Sequence, residues 1–431
     1  MMKKNRHNRF CLLLAFIAAA SLAAGCSKTE PAKQQAQESA PPPAKQEPVT
    51  LKMHDTQGMT QEDFELLIAG PVKAKYPNIT VELVKSNLTQ VTNAVTAKEQ
   101  IDIITIFNGN WGTIKDLQLF EDLNPLVKQQ KYDLSRFDPG ALKTISDLSA
   151  KGELFALPYH MQFNALYYNK DLFDKFAVPY PKDGLIWEEA IDIARALTRS
   201  DGGTQYSGLG MDGWSRLTYP LSVVPVDAKT NKSAVGTEPF RKAFTIAQQL
   251  YSIPGNAPVF SNNPFIKDKT QAMAATVNLL GTLAASDLKW DVAQYPSYKE
   301  KPNVFTQYDL HIAAISKTSA HKEEAMKALD VFLSDEVQTV STSRTGRVPV
   351  LNNPQIRAKL GADNPALKDK KLASIFKSKP ADNAAQFTKW HSKSYEIANK
   401  YVVEFLSGKK DMNTAFREAD EEINQYIAAN P

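Results

Sequence analysis

Residues 152–198 read GELFALPYHMQFNALYYNKDLFDKFAVPYPKDGLIWEEAIDIARALT. Residues 154–157 form a strand that arrives at Pro158-Tyr159, where a proline without an N–H is expected to end the ladder. Residues 165–169 form a second strand, and Lys170-Asp171-Leu172-Phe173 starts a helix. Val178-Pro179-Tyr180-Pro181 makes a rigid extended turn. Beyond it Trp187, Ala190, Ile191, Ala194 and Leu197 lie on one helical face. Paired strands followed by amphipathic helices predict an α/β fold with helices laid on a sheet.

The flanking sequence repeats that grammar. Val49, Leu51 and Met53 alternate with Thr50, Lys52 and His54, and Ile79, Val81 and Leu83 alternate in the same way. Between these strands Phe64, Leu67 and Ile68 share a helical face, and Gly70-Pro71 is expected to kink or restart that helix. Residues 101–107, IDIITIF, read as a buried parallel strand. Further on, Met326, Leu329 and Phe332 mark one helix, Ala398 to Phe405 mark another before a stop at Gly408, and Met412 to Ile427 hold helical spacing to the end. About 380 residues in this pattern are too many for one ordinary core and predict two lobes.

The N-terminus has a different character. Lys3, Lys4, Arg6 and Arg9 precede an apolar run and the small residues Ala23-Ala24-Gly25, which predicts a signal peptide over 1–25. Cys26 follows directly and resembles the lipobox cysteine of bacterial lipoproteins, although Ala23 stands where leucine is commonest. That resemblance implies acylation of Cys26, palmitate included, and attachment to a lipid bilayer at the outer face of the cell membrane. Residues 26–48 hold little to bury and predict a disordered linker, whose twenty or so residues reach roughly 60 Å when extended. The remaining cysteine, Cys11, lies in the signal, so a mature chain has neither a disulfide nor a cysteine metal site. Four of the 51 Lys and Arg also precede Cys26, and the rest balance 47 Asp and Glu, so a nucleic-acid partner has no electrostatic basis.

Residues 152–198 closely resemble the signature stretch of family 1 extracellular solute-binding proteins, the maltose-binding-protein-like receptors of ABC sugar importers. Residues 75–81 (KYPNITV), Trp290-Asp291-Val292-Ala293, residues 314–317 with 321–325, and residues 346–350 (GRVPV) extend the likeness over most of the chain. The resemblance implies a periplasmic-binding-protein-like fold of two lobes, each a mixed, mostly parallel sheet flanked by helices, joined by a hinge of several crossings. It places lobe 1 at 49–162 and 306–343 and lobe 2 at 163–305 and 344–431. The implied partners are a carbohydrate, most simply an oligosaccharide, and the permease subunits of an ABC transporter, with the protein a monomer. Two departures bear on the cargo: Asn278-Leu279-Leu280 stands where many relatives have Gly-x-Trp, and Asn108 where they often carry an acid.

In α/β lobes ligands meet the carboxyl ends of strands. The candidate contacts by that rule are Asp55, Thr56 and Gln57; Asn108, Asn110 and Trp111; Tyr159, His160 and Gln162; and Asp212 and Trp214, to which Tyr308 and Asp309 are added beside the return crossing and Arg344 beside the last. Trp111, Tyr159 and Trp214 are the expected stacking rings for sugar C–H faces, with Asn108, Gln162, Asp309 and Arg344 as polar partners. Each has a packing alternative: Trp111 against the helix it introduces, Tyr159 and His160 as crossing residues, Arg344 in an ion pair.

Catalysis finds little support. The histidines His7, His54, His160, His311, His321 and His391 include no pair at helical metal-ligand spacing, so no metal is expected. No Walker loop and no Gly-x-Ser-x-Gly elbow is present. Gly208-Leu209-Gly210-Met211-Asp212-Gly213 matches a dinucleotide fingerprint only in spacing, and is expected to be a strand-end turn. No cofactor and no enzymatic activity are expected. The competing readings are a surface scaffold for a membrane sensor and a receptor for a non-sugar solute.

Overall fold

The computed structural model describes residues 47–115, 117–149, 151–382 and 385–431. The expected signal, Cys26 and nearly all of the linker lie outside the described residues.

Two sheets organise the chain. The first runs, edge to edge, Val348–Pro349, Leu157–Met161, Leu310–Ile315, Ile103–Phe107, Val49–Asp55 and Ile79–Lys85. The second runs Trp290–Ala293, Asn164–Asn169, Gln271–Val277, Thr204–Gly210 and Arg199–Asp201. Each sheet carries its own helices, which makes two α/β lobes. The expected predominance of parallel pairs does not hold. Parallel ladders join Val49–Asp55 to its two neighbours and Thr204–Gly210 to Gln271–Val277, and the other pairs in these sheets are antiparallel. The cause is the traffic between lobes. Strands that begin at the cleft, such as Asn164–Asn169 and Leu310–Ile315, run away from it, against strands that end there.

The chain leaves the first sheet at Met161 and enters the second at Asn164. Two boundaries differ from expectation. Pro158 lies inside the strand Leu157–Met161, because the register to Leu310–Ile315 shifts between His311 and Ile312 and the bulge absorbs the missing donor. The assignment of 344–431 to the second lobe also fails at its start. Gly346, at φ +70, ends the helix Asp335–Thr345 and turns the chain so that Val348 pairs with Met161 in the first sheet. The following residues remain there, with Asp138 N donating to Val350 O and Asn352 N to Arg136 O.

Local chemistry explains the helices. At Pro71 the missing N–H and the ring's clash with the preceding turn disfavour regular α-helix. The chain widens to a π-helical turn, Glu65–Ala69, in which Gly70 N donates to Glu65 O, and then resumes as Gly70–Lys75. Glu189 caps Trp187–Leu197 by accepting from Ile186 N at 3.0 Å, and Asp411 caps Met412–Ala429 by accepting from Asn413 N and Thr414 N. Helix Trp187–Leu197 buries Trp187, Ala190, Ile191, Ala194 and Leu197, the face read from the sequence, against Thr204–Gly210.

That packing depends on Gly208. A Cβ there runs into the backbone of Ala194 in the helix above, and no side-chain movement relieves a clash with backbone. Gly208→Ala is expected to destabilise the fold by about 1–3 kcal/mol, the usual range for overpacking. Urea unfolding checks this, and an unchanged midpoint counts against such tight helix–sheet packing.

Candidate functional site

Strand ends from both lobes converge at the crossing. Ile103–Phe107 delivers Phe107 and then the turn Asn108–Asn110, and the approach to Leu310–Ile315 delivers Asp309. From the second lobe, Thr204–Gly210 leads through Asp212 into the short helix Ser215–Thr218, which carries Arg216. The third wall is the first turn of helix His391–Leu406, with His391, Ser392, Tyr395 and Glu396. Together with Tyr219 these elements line an open recess of about 330 Å³, the low end of the ~300–1,000 Å³ usual for small-molecule pockets.

The recess is aromatic on one side. Phe387 links its rings, edge-on to Phe107 at 5.4 Å, to Tyr219 at 5.8 Å and to His391 at 4.5 Å between centroids. Phe107 and Tyr395 are half-buried, whereas Tyr219 and His391 are buried. The other side is ionic. Arg216 donates to Asp212 through Nε at 2.7 Å and Nη2 at 3.0 Å, a bidentate pair from residues one helical turn apart. Burial alone raises the Asp212 carboxyl, but the charge and hydrogen bonds of Arg216 win and hold it below its ordinary value.

Asp309 has no such partner. It is 7 % exposed and its carboxylate accepts no hydrogen bond from a described side chain or backbone N–H. Burial pushes it up to about 6 against the attraction of Arg216, with Asp212 adding to the rise. Burial also pushes His391 down to about 4, so the ring is neutral at pH 7. Its Nε2 lies 3.3 Å from Tyr219 Oη, and its buried Nδ1 has no partner among the described residues.

A raised carboxyl binds its proton more tightly folded than unfolded, so its contribution to stability is present below pH 4 and lost as pH rises to about 6. Asp309→Asn is expected to flatten that decline and to stabilise the protein at pH 7 by up to about 3 kcal/mol, from 1.36 kcal/mol per pKa unit. Urea midpoints at pH 4 and pH 7 test it. Equal pH dependence in both proteins would show that Asp309 is not the group responsible.

A second recess of about 280 Å³ lies on the other side of the crossing, lined by Gln57, Tyr159, His160, Gln162, Asn278 and Arg347 among others. Gln162 connects the two: its N–H donates to Asp309 O at 2.8 Å, and its Nε2 lies 2.9 Å from His311 Nε2. Burial, aided by the charge of Arg347, lowers His160 well below the ordinary value and His311 to about 3, so both rings are neutral. Arg347 pairs with Asp63 at 2.7 Å.

The residues expected from strand ends therefore part company. Asn110 and Asp309 line the first recess, with Asp212 behind it as the partner of Arg216. Gln57, Tyr159, His160 and Gln162 line the second. Others serve the fold. Asp55 accepts from Met59 N at 2.7 Å and Thr56 Oγ1 donates to Thr105 O at 2.9 Å, tying the turn after the first strand. Asn108 bridges Tyr308 O and Leu310 N, and Tyr308 packs over Gly140 on the helix Pro139–Ser146.

The expected stacking rings are interior. Trp111 is stacked on Phe120 at 4.4 Å and is 3 % exposed. Trp214 is fully buried, stacked on Tyr395 at 4.1 Å with 10° between planes. Tyr159 is 1 % exposed and packs on Phe332 and His160. Arg344 points to solvent from the last turn of its helix, and Arg347 holds the position in the cleft. The sequence reading missed Phe107, Arg216, Tyr219, His391 and Tyr395. Only Arg216 left a usable trace, a cation four residues after Asp212.

A cleft between two α/β lobes, lined by strand ends and crossed by the chain, defines the class of ligand-capturing receptors that close on a solute. More particularly, the chain belongs to the bacterial extracellular solute-binding protein family, whose model matches residues 59–339. It is similar to the sn-glycerol-3-phosphate-binding periplasmic protein UgpB of Brucella abortus, with 21 % identity over 318 residues, covering 69 % of this chain and 73 % of that protein. Its fold matches a sugar transporter from Rhizobium etli in an open conformation, with TM-score 0.70 and 22 % identity over 87 % of this chain and 99 % of that one. It also matches an ABC substrate-binding protein from Listeria monocytogenes in complex with cycloalternan, with TM-score 0.72 and 17 % identity over 89 % and 100 % of the two chains.

Proposed function

We propose that this protein is a membrane-anchored receptor that captures a carbohydrate between its lobes and delivers it to the permease of an ABC transporter. One observation carries the reading: the recess brings aromatic rings, Phe107, Tyr219 and Tyr395, together with hydrogen-bonding side chains contributed by both lobes. Sugars need that combination, because their C–H faces lie on rings while their hydroxyls need directed partners. Contacts to both lobes favour the closed state by differential affinity, and a permease can then tell loaded from empty receptor. The cycloalternan-bound relative supports a saccharide cargo, and the lipobox-like Cys26 supports the anchor.

A thermal-shift screen against mono- and oligosaccharides tests the reading, since a ligand bound only by the folded state raises the melting point. Phe107→Ala is then expected to weaken the stabilising sugar about tenfold, the 1–1.5 kcal/mol of one aromatic face, with the far-UV spectrum unchanged. A panel with no stabilising member, or a variant that binds as tightly as the parent, would defeat the proposal. For the anchor, Cys26→Ala is the matching variant: release of the protein from the membrane fraction supports acylation, and retention refutes it.

A further inference from the structure

The charges of the cleft do not balance, and the imbalance bears on what it admits. Arg216 and Arg347 are the cationic side chains among the described residues lining the two recesses, and each already faces a carboxylate, Asp212 and Asp63. Glu396 is met by Lys393 at 2.9 Å. His160, His311 and His391 are neutral. Asp309 is left over, 93 % removed from solvent, with a carboxylate that has no hydrogen-bond donor among the described residues. The N-terminus of helix His391–Leu406 contributes roughly half a positive charge, which does not cancel a full negative one. Arg347 keeps a buried Nη1 without a partner among the described residues, and Asp63 already answers its charge.

We infer that Asp309 sets the charge class of the cargo: the cleft takes a saccharide that donates hydroxyl or ammonium hydrogens to this carboxylate, and it rejects acidic and phosphorylated solutes. This deepens the saccharide reading and rests on it. A carboxylate with this little solvent contact and no donor among the described residues is poorly stabilised, and a bound donor relieves that cost. A phosphate or carboxylate brought beside Asp309 meets like charge at low dielectric, with no free cation among the described lining residues to answer it. The cleft therefore differs in chemistry from one suited to the glycerol phosphate that the UgpB relative is named for. His391 lines the same recess as a neutral ring and adds no cation to it.

Calorimetric titration of the purified protein at pH 7.5 decides the matter with four probes: maltotriose, the glucosamine trisaccharide, trigalacturonate and sn-glycerol 3-phosphate. Binding of the neutral or the amino sugar, with both anions at least about 100-fold weaker, is the expected result. The two supporting arms separate by pH. Affinity for the amino sugar falls as pH drops below about 6, where Asp309 takes up a proton, while that for the neutral sugar changes little. Asp309→Asn is expected to weaken the bound sugar and to narrow the gap to the anions. An anion that binds as well as the best neutral sugar, or an Asn variant with unaltered discrimination, overturns the inference while leaving the receptor reading intact. Silence from all four probes, and from the wider thermal-shift panel, overturns both.

Discussion

Arg216→Ala is expected to destabilise the protein by about 3–5 kcal/mol, the cost of stripping one partner from a buried ion pair, and to abolish saccharide binding. Arg216 and Asp212 are 13 % and 22 % exposed, so neither is solvated well enough to stand alone. Removing the guanidinium leaves Asp212 and Asp309 as neighbouring unpaired carboxylates. It also removes the 3.4 Å contact with Asn164 Oδ1 at the entry to the second lobe. Arg216→Lys keeps the charge but not the two-pronged geometry, and should recover only part of the loss. Urea unfolding at pH 7 measures this directly. A double replacement of Arg216 and Asp212 by leucine should be much less damaging than Arg216→Ala, because no unpaired charge remains from the pair. If the double variant is the worse of the two, the ionic explanation is wrong.

Trp214→Ala is expected to cost a similar 3–5 kcal/mol, as for other large-to-small changes of core aromatics. The ring has no exposed surface and packs among Tyr395, Phe240 and Phe244 at centroid distances of 4.1, 5.5 and 5.9 Å. Any fall in sugar affinity would then follow from Tyr395, which lines the recess and loses its support. Trp214→Phe, which retains a ring, should keep most of the stability. The sequence pointed instead to a surface ring whose removal spares the fold, and thermal melting of the alanine variant separates the two accounts. A melting point within about 2 °C of the parent would restore the surface reading, since 1 kcal/mol shifts a large domain by 2–4 °C.

The misassignment of Trp111 and Trp214 shows where sequence reading stops. Alternation and helical periodicity found the strands Val49–Asp55, Ile79–Lys85 and Ile103–Phe107 and the inward face of Trp187–Leu197, because burial imposes those periods on the chain itself. The strand-end rule placed Asn110, Gln57 and Gln162 at the cleft for the same reason, since it depends on sheet direction, and Asp309 came from its place beside the return crossing. Which way a ring turns after the strand ends depends on partners distant in sequence. Trp214 turns inward because Tyr395 and Phe240 wait there, and no local pattern announces them. His391 and Tyr395 were equally hidden, since a C-terminal helix reads as core packing until its first turn is seen beside Arg216. Phe107 closes an apolar run and gives no sign that its edge emerges from the sheet. Pro158 misled for a simpler reason, since a bulge supplies an exit that a proline rule does not foresee.

Asp309 and Arg216 belong to opposite lobes, and their proximity has a consequence for watching this molecule work. When the lobes part, water reaches the carboxylate and its acidity drifts back toward that of a free aspartate. One titrating carbon resonance thus becomes a gauge of the gate, reporting the open fraction without label or cargo. The residue that screens the cargo would then also record how often the door stands ajar.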